Sequence, residues 1–409
     1  MKKTLKKLLS LGLAVTLAAS MTACSSGTAN ETAAEAAGTE EAADTAGTDT
    51  GASGGAVFKI GGIGPITGNN AIYGEAVQNG TQLAIDEIIA AGGINGAQVE
   101  FNFQDDEGDT EKAVNAYNTL KDWGMQLLVG AVTSAPSIAV GAESSNDNLF
   151  QLTPSGTSVD CTKFDNQFRV CFSDPAQGSA SAQYIGEHKL ATKVGIIYDS
   201  SDVYSSGIHD NFIAEAPNQG IEVVSDEAFT ADNNTNFSVQ LQKAQDAGAE
   251  LVFLPIYYQQ ASLVLAQAQQ MGYEPMFFGC DGLDGLLSVE NFDTSLAEGV
   301  MLLTPFAADA QDEQTQNFVS AYEEQFGSTP IQFAADAYDA VYAIKAAAEQ
   351  AGITPDMDAS AICDAMKTAM TEITIDGLTG DNITWTADGE PDKSPRAVVI
   401  ENGAYKAMD

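Results

Sequence analysis

The stretch IGGIGPITGNNAIYGEAVQNGTQLAIDEIIAAGGINGAQVEFNFQDDEGD, residues 60–109, changes its apolar period twice within one continuous segment. An apolar run from Val57 to Ile63 predicts a strand, and Gly64-Pro65-Ile66-Thr67-Gly68 turns the chain. Val77, Ala84, Ile85, Ile88 and Ile89 then recur at helical spacing. Gly92-Gly93 ends that helix, because glycine takes up the left-handed conformation without a Cβ penalty. Val99, Phe101 and Phe103 alternate as a second strand, closed by Asp105-Asp106-Glu107-Gly108-Asp109. A strand, a crossover helix and a second strand predict a parallel sheet, with ligands received at the carboxyl ends of its strands.

The alternation continues toward the C-terminus. Ala113, Ala116, Tyr117 and Leu120 mark a helix, and Gln126 to Gly130 a buried strand. Val132-Thr133-Ser134 leads into another helix, with Ser134 suited to capping it and Pro136 to its first turn. Leu149 to Leu152 predicts a strand followed by the polar turn Pro154-Ser155-Gly156-Thr157, and Ser173 to Gly178 reads as a cap and helix start. A second series begins there. Val194–Tyr198, Leu251–Ile256, Met276–Gly279, Val300–Thr304 and Ala397–Glu401 predict strands, and Ser200 to Gly207 a polar loop carrying Tyr204. The fold class is therefore α/β, and residues alone suggest a division near Asp174.

The chain has 409 residues, enough for two cores, and a formal net charge of −40. Four of its 17 basic residues are Lys2, Lys3, Lys6 and Lys7, so the remainder of the chain is more acidic still. Such a surface repels nucleic acid and anionic headgroups. After these lysines, Leu11 to Ala19 is too short for a permanent membrane span. Met21-Thr22-Ala23-Cys24 resembles a bacterial lipobox, in which the cysteine receives a diacylglycerol, with Met in place of the usual Leu. Ser25 to Ala56 has no aromatic residue, Leu or Ile and reads as a tether. Residues 1–23 are thus expected as a lipoprotein signal peptide and 24–56 as a lipid-anchored linker.

GPITG, AIYG, AAGGING and DDEGD, in that order and spacing, resemble the opening of the leucine/isoleucine/valine-binding protein family. These are the solute-binding components of bacterial ABC importers, with the type I periplasmic binding fold, and the resemblance runs from about residue 57 to the C-terminus. It implies two Rossmann-like lobes joined by three crossovers, residues 57–174 with 306–378 and residues 175–305 with 379–409. It also implies an amino-acid ligand, an ABC permease as partner, a monomer, and a place on the outer face of the cell membrane.

A free amino acid needs neutral donors for its carboxylate, an acid for its ammonium and an apolar wall for its side chain. Val132-Thr133-Ser134 and Ser155-Gly156-Thr157 offer the donors, and Asp281 offers the acid with Tyr204 and Tyr257 nearby. The resemblance assigns the carboxylate to Ser134 and Thr157, the amino group to Asp281, and closure to Tyr204, Tyr257 and Tyr73. Asp281 stands where the family more usually has Glu, one methylene shorter, which bears on ligand size rather than class. Val132, Tyr73 and Phe333 are candidates for the side-chain wall. Plainer roles stay open for the same residues: Ser134 as a helix cap, Ser155 and Thr157 as turn formers, Tyr73 and Tyr257 as core, Asp281-Gly282 as a turn.

Other motifs carry less. Gly51-Ala52-Ser53-Gly54-Gly55 matches a nucleophile elbow but lies in the tether, without flanking strand or helix. Gly62, Gly64 and Gly68 miss the dinucleotide fingerprint by one place, and Pro65 removes a needed amide. The run from Asp105 resembles a calcium loop, but Ala116 occupies its twelfth position, and a solvated strand end with a helix cap is the simpler reading. The chain has two histidines, His188 and His209, neither at metal spacing, so no metal, cofactor or catalytic centre is expected. Cys161 and Cys171 leave a disulfide and two free thiols equally open, whereas Cys280 and Cys363 read as buried thiols. The expectation is an extracytoplasmic lipoprotein that captures a branched-chain or similar amino acid for import. The alternative is a sensor of the same fold that binds a small amide or amino acid and signals to a partner.

Overall fold

The computed structural model describes residues 55–408; the leader, Cys24 and the tether up to residue 54 lie outside them. The chain first builds β1 (Phe58–Gly64), α1 (Ala71–Ala90), β2 (Val99–Asp105), α2 (Thr110–Trp123), β3 (Leu127–Gly130), α3 (Ser134–Asp147), β4 (Phe150–Thr153) and β5 (Gln167–Arg169). These strands form one parallel sheet in the order β2-β1-β3-β4-β5. Residues alternate between its faces. Phe58, Ile60, Leu127 and Val129 share one core cluster, while Ile63 and Leu128 join Tyr117, Leu120 and Val140 in another.

The chain then continues through α4 (Asp174–Glu187), β6 (Lys193–Asp199), α5 (Val203–Glu215), β7 (Glu222–Phe229), α6 (Ser238–Asp246), β8 (Leu251–Leu254), α7 (Tyr258–Met271), β9 (Met276–Gly279) and β10 (Met301–Thr304). Three helices come next, α8 (Glu313–Phe326), α9 (Gln332–Ala351) and α10 (Ala359–Met370), then β11 (Arg396–Glu401) and β12 (Ala404–Ala407). The second sheet runs β12-β11-β10-β9-β8-β6-β7, parallel except at the β10–β11 and β11–β12 pairs. Helices α9 and α10 return to the first sheet, where Val341, Ile344, Ile362 and Met366 pack against Phe58, Ile60 and Phe150.

The opening unit folds as its sequence predicts. Gly92 and Gly93 have φ of 110° and 84°. Asp109 caps α2, accepting from Glu111 N and Lys112 N at 2.9 Å each, which accounts for the acidic run without a metal. One glycine has a packing role that period alone does not reveal. A Cβ at Gly80 of α1 would lie 2.2 Å from the Ala334 carbonyl oxygen of α9, so the two helices touch backbone to backbone.

Three elements escape the sequence reading. β7 is an edge strand with β6 as its sole neighbour and mostly exposed or half-buried residues, so acids interrupt its apolar pattern. β12 is an equally exposed edge. α10 has Ile362, Cys363, Met366 and Met370 at helical spacing and is a plain omission. Tyr204 also needs correction. It lies in the first turn of α5, not in a loop, because Asp202 caps that helix through Tyr204 N at 3.0 Å.

Candidate functional site

In each sheet the strand order reverses once, between β1 and β3 and between β6 and β8. Loops leaving the carboxyl ends on either side of such a reversal run in opposite directions and leave a crevice. Every predicted site residue comes after a strand end at or beside these two reversals: Tyr73 after β1, Val132 and Ser134 after β3, Ser155 and Thr157 after β4, Tyr204 after β6, Tyr257 after β8, and Asp281 after β9.

The first wall is a pair of cross-braced loops. Ser134 does not cap α3; it is the first residue of that helix, and Thr133 holds the capping position without a capping bond. Instead the Ser134 hydroxyl accepts from Thr157 N and Ser158 N at 3.2 Å each and lies 3.3 Å from the Thr157 hydroxyl. The Ser155 hydroxyl donates to the Val132 carbonyl at 2.8 Å. Behind this loop Arg169 is fully buried, donating to the carbonyls of Gly156 and Ser158 at 2.9 Å each and pairing with Glu390 at 2.9 Å. The arginine thus draws the loop carbonyls to the rear, while amides 157 and 158 face Ser134.

The second wall is acidic and aromatic. The Tyr204 hydroxyl donates to the Asp281 carboxylate at 2.8 Å, and its ring stacks on Tyr257 at 4.8 Å. Asp281 also accepts from Gly282 N at 2.8 Å, and its own amide donates to Gln177 at 3.2 Å. Tyr73 joins the walls: it donates to the Gly282 carbonyl at 2.5 Å and stacks on Phe333 at 4.0 Å. Seven of the eight predicted ligand residues, all but Thr157, line one narrow cleft with Thr133, Gly282 and Phe333. Thr157 stands one hydrogen bond behind them. A larger cavity of about 400 Å³ lies between α8 and β10–β12. None of the predicted ligand residues lines it, so the smaller cleft is the stronger candidate.

Burial dominates the electrostatics. It pushes the Asp281 carboxyl up to about 6, against the lowering effect of Tyr204, Gln177 and the Gly282 amide. Asp202 rises to about 6 and Asp284 to about 7 for the same first cause. Among the described residues no lysine or arginine lines the cleft. Cys161 and Cys171 are both buried free thiols, so the disulfide is absent here, and burial raises the Cys161 thiol to about 12. Cys280 and Cys363 are free and buried, as the sequence suggests. Thr133 lines the cleft and Gln177 braces it through the Asp281 amide, and sequence reasoning missed both. The motif that carries Gln177, Ser173 to Gly178, is legible only as a helix start.

Two sheets that present opposed polar sets at their strand ends define the type I periplasmic binding fold. Residues 57–404 match the model of the periplasmic binding protein family. A Leu/Ile/Val-binding protein homolog from Brucella melitensis is 31% identical over 75% of this chain and 82% of its own length. Among solved structures, a branched-chain amino acid transporter substrate binding protein from Streptococcus pneumoniae, in complex with isoleucine, aligns with a TM-score of 0.78. It is 29% identical over 86% of this chain and 99% of its own. A leucine binding protein from Thermotoga maritima aligns with a TM-score of 0.77 at 27% identity over 86% and 98% of the two chains. The chain belongs to the periplasmic binding protein family, among the branched-chain amino acid binding proteins.

Proposed function

We propose that this protein is an extracytoplasmic lipoprotein that captures an amino acid, branched-chain or similarly apolar, and delivers it to an ABC importer. One observation carries the reading: neutral polar residues of Val132–Ser134 and Ser155, with Thr157 one hydrogen bond behind, share a single cleft with a buried acid, Asp281, on the opposite wall. Ser134, Thr157 and the nearby amides receive the carboxylate, Asp281 the ammonium, and Tyr73, Val132 and Phe333 the side chain. Tyr204 and Tyr257 cover the amine end. The lobes are residues 57–174 with 306–378 and 175–305 with 379–409, and closure of one on the other encloses the ligand. Relatives named for leucine, isoleucine and valine, and the isoleucine complex, support the ligand class. No covalent chemistry is part of this role, and a monomer suffices for it.

Thermal melting against the twenty amino acids, amides and polyamines tests the reading. A ligand at a hundredfold excess over its dissociation constant stabilises the native state by about 2.7 kcal/mol. A raised midpoint with leucine, isoleucine or valine is expected; no shift with any amino acid would remove the assignments at both ends of the ligand. Anchoring has its own check. Among the described residues no helix is long and apolar enough to cross a membrane. Mass spectrometry of the protein from its native membrane is expected to find diacylglycerol on Cys24, and an unmodified N-terminus elsewhere would overturn it.

A further inference from the structure

Helix α9 is capped by a residue from a distant loop. Its own N-terminus offers nothing: Ile331 holds the capping position and has no side-chain acceptor, and the first turn carries no acid. The Gln332 amide donates instead to the Asp284 carboxylate at 2.7 Å. Asp284 is buried, in the loop that follows β9. That loop begins with Asp281, and the Asp284 amide donates to the Asp281 carbonyl at 2.9 Å. Between the two acids the Gly282 carbonyl accepts from Tyr73 of α1. Just beyond them a Cβ on Gly285 would come within 3.2 Å of Ile72, also on α1. The loop is therefore pressed against α1 and α9 along its length. Tyr405 of β12 holds it from behind, accepting from the Gly285 amide at 3.0 Å.

Taking the lobes and the amino-acid ligand proposed above as its basis, we infer that Asp284 is a positioning residue that couples ligand capture to closure. It stands in the second lobe, caps a helix of the first, and ends the loop whose other end receives the ammonium. With the lobes apart, α9 has no cap and Asp284 loses the Gln332 amide; with them together, one bond serves both. The same bond places Phe333, the next residue of α9, against Tyr73 in the cleft. Charge links the two ends of the loop. Burial raises the Asp284 carboxyl to about 7, against the Gln332 and Gly285 amides, and the charge of Asp281 adds to the rise. An ammonium on Asp281 offsets that charge and favours the ionised Asp284, the stronger acceptor for a helix N-terminus. Occupancy at one end therefore tightens the latch at the other.

Stopped-flow kinetics on wild type, Asp284→Ala and Asp284→Asn test this, using the amino acid that raises the wild-type melting midpoint most, expected to be leucine. A latch made only on closure slows release and leaves entry untouched. In Asp284→Ala the dissociation rate is expected to rise about 3- to 30-fold, the worth of one helix cap, with the association rate unchanged. The ligand-free midpoint should hold, because open lobes make no use of the bond. Asparagine keeps an accepting oxygen in the same place and is expected to restore most of the slow release. An unchanged dissociation rate in Asp284→Ala overturns the inference and leaves the proposed function standing. So does a ligand-free midpoint that falls as far as the ligand-bound one, which would make Asp284 a structural cap indifferent to closure. Wild type that binds none of the twenty amino acids overturns both.

Discussion

Asp281→Ala is expected to remove amino-acid binding and leave the fold standing. The ligand ammonium would enter a buried site without its principal acid, and losing one partner of a buried pair costs about 3–5 kcal/mol, two to nearly four orders of magnitude in Kd. Titration calorimetry measures the loss, and circular dichroism with denaturant unfolding checks the fold; unchanged affinity would refute the assignment of Asp281. Ligand-free stability should suffer little, because the buried carboxylate is itself unfavourable. Its folded pKa of about 6 lies above the ordinary value of 3.8. Between those values the native state holds a proton that the unfolded chain has released, so its stability contribution falls as pH rises through this window. Binding has the opposite sign, since the ammonium needs the ionised form. Affinity is therefore flat above about pH 6 and falls by up to tenfold per pH unit below it. The midpoint shift given by leucine should shrink at pH 5 even as the ligand-free protein gains stability.

Arg169→Met is expected to damage both stability and binding. The guanidinium is wholly buried, holds two carbonyls of the 156–158 loop and meets Glu390. Methionine can fill the space but leaves the Gly156 carbonyl unpaired, at about 1–3 kcal/mol, and the Ser158 carbonyl with the Cys161 amide alone. Freed of that clamp, the loop can turn its amides away from Ser134, and the carboxylate seat loosens. Lysine should not rescue it, because a single ammonium cannot span two carbonyls as a planar fork does. Denaturant unfolding that shows no loss of stability in Arg169→Met would refute this account of the loop.

The legible part of the chain is the part where period and position coincide. β1, α1 and β2 emerge from the switch between alternating and helical spacing, and strand ends then locate Ser134, Thr157 and Asp281. Legibility ends where one residue serves two purposes. Ser134 looks like a cap but instead joins two loops, and Asp174 looks like a helix start while its amide also ties α4 to the Thr157 carbonyl. The helical place of Tyr204 is hidden because α5 begins among serines and an aspartate that equally suit a loop. Arg169 is one basic residue among few, and its burial appears only when Gly156, Ser158 and Glu390 surround it.

The backbone contact of Gly80 with Ala334 also bears on how such a protein acquires a new ligand. Tyr73 rides on α1 and Phe333 on α9, stacked on one another, so two of the three apolar wall residues belong to a single pair of fused helices, with Val132 on the loop after β3. The groups to which we assign the head of an amino acid follow strand ends instead. Appetite for a larger or smaller side chain can thus drift through Phe333 alone, while the apparatus that identifies an amino acid as such is inherited intact. Diversification within this architecture is modular, with one helix pair tuning size and the loops preserving the shared chemistry.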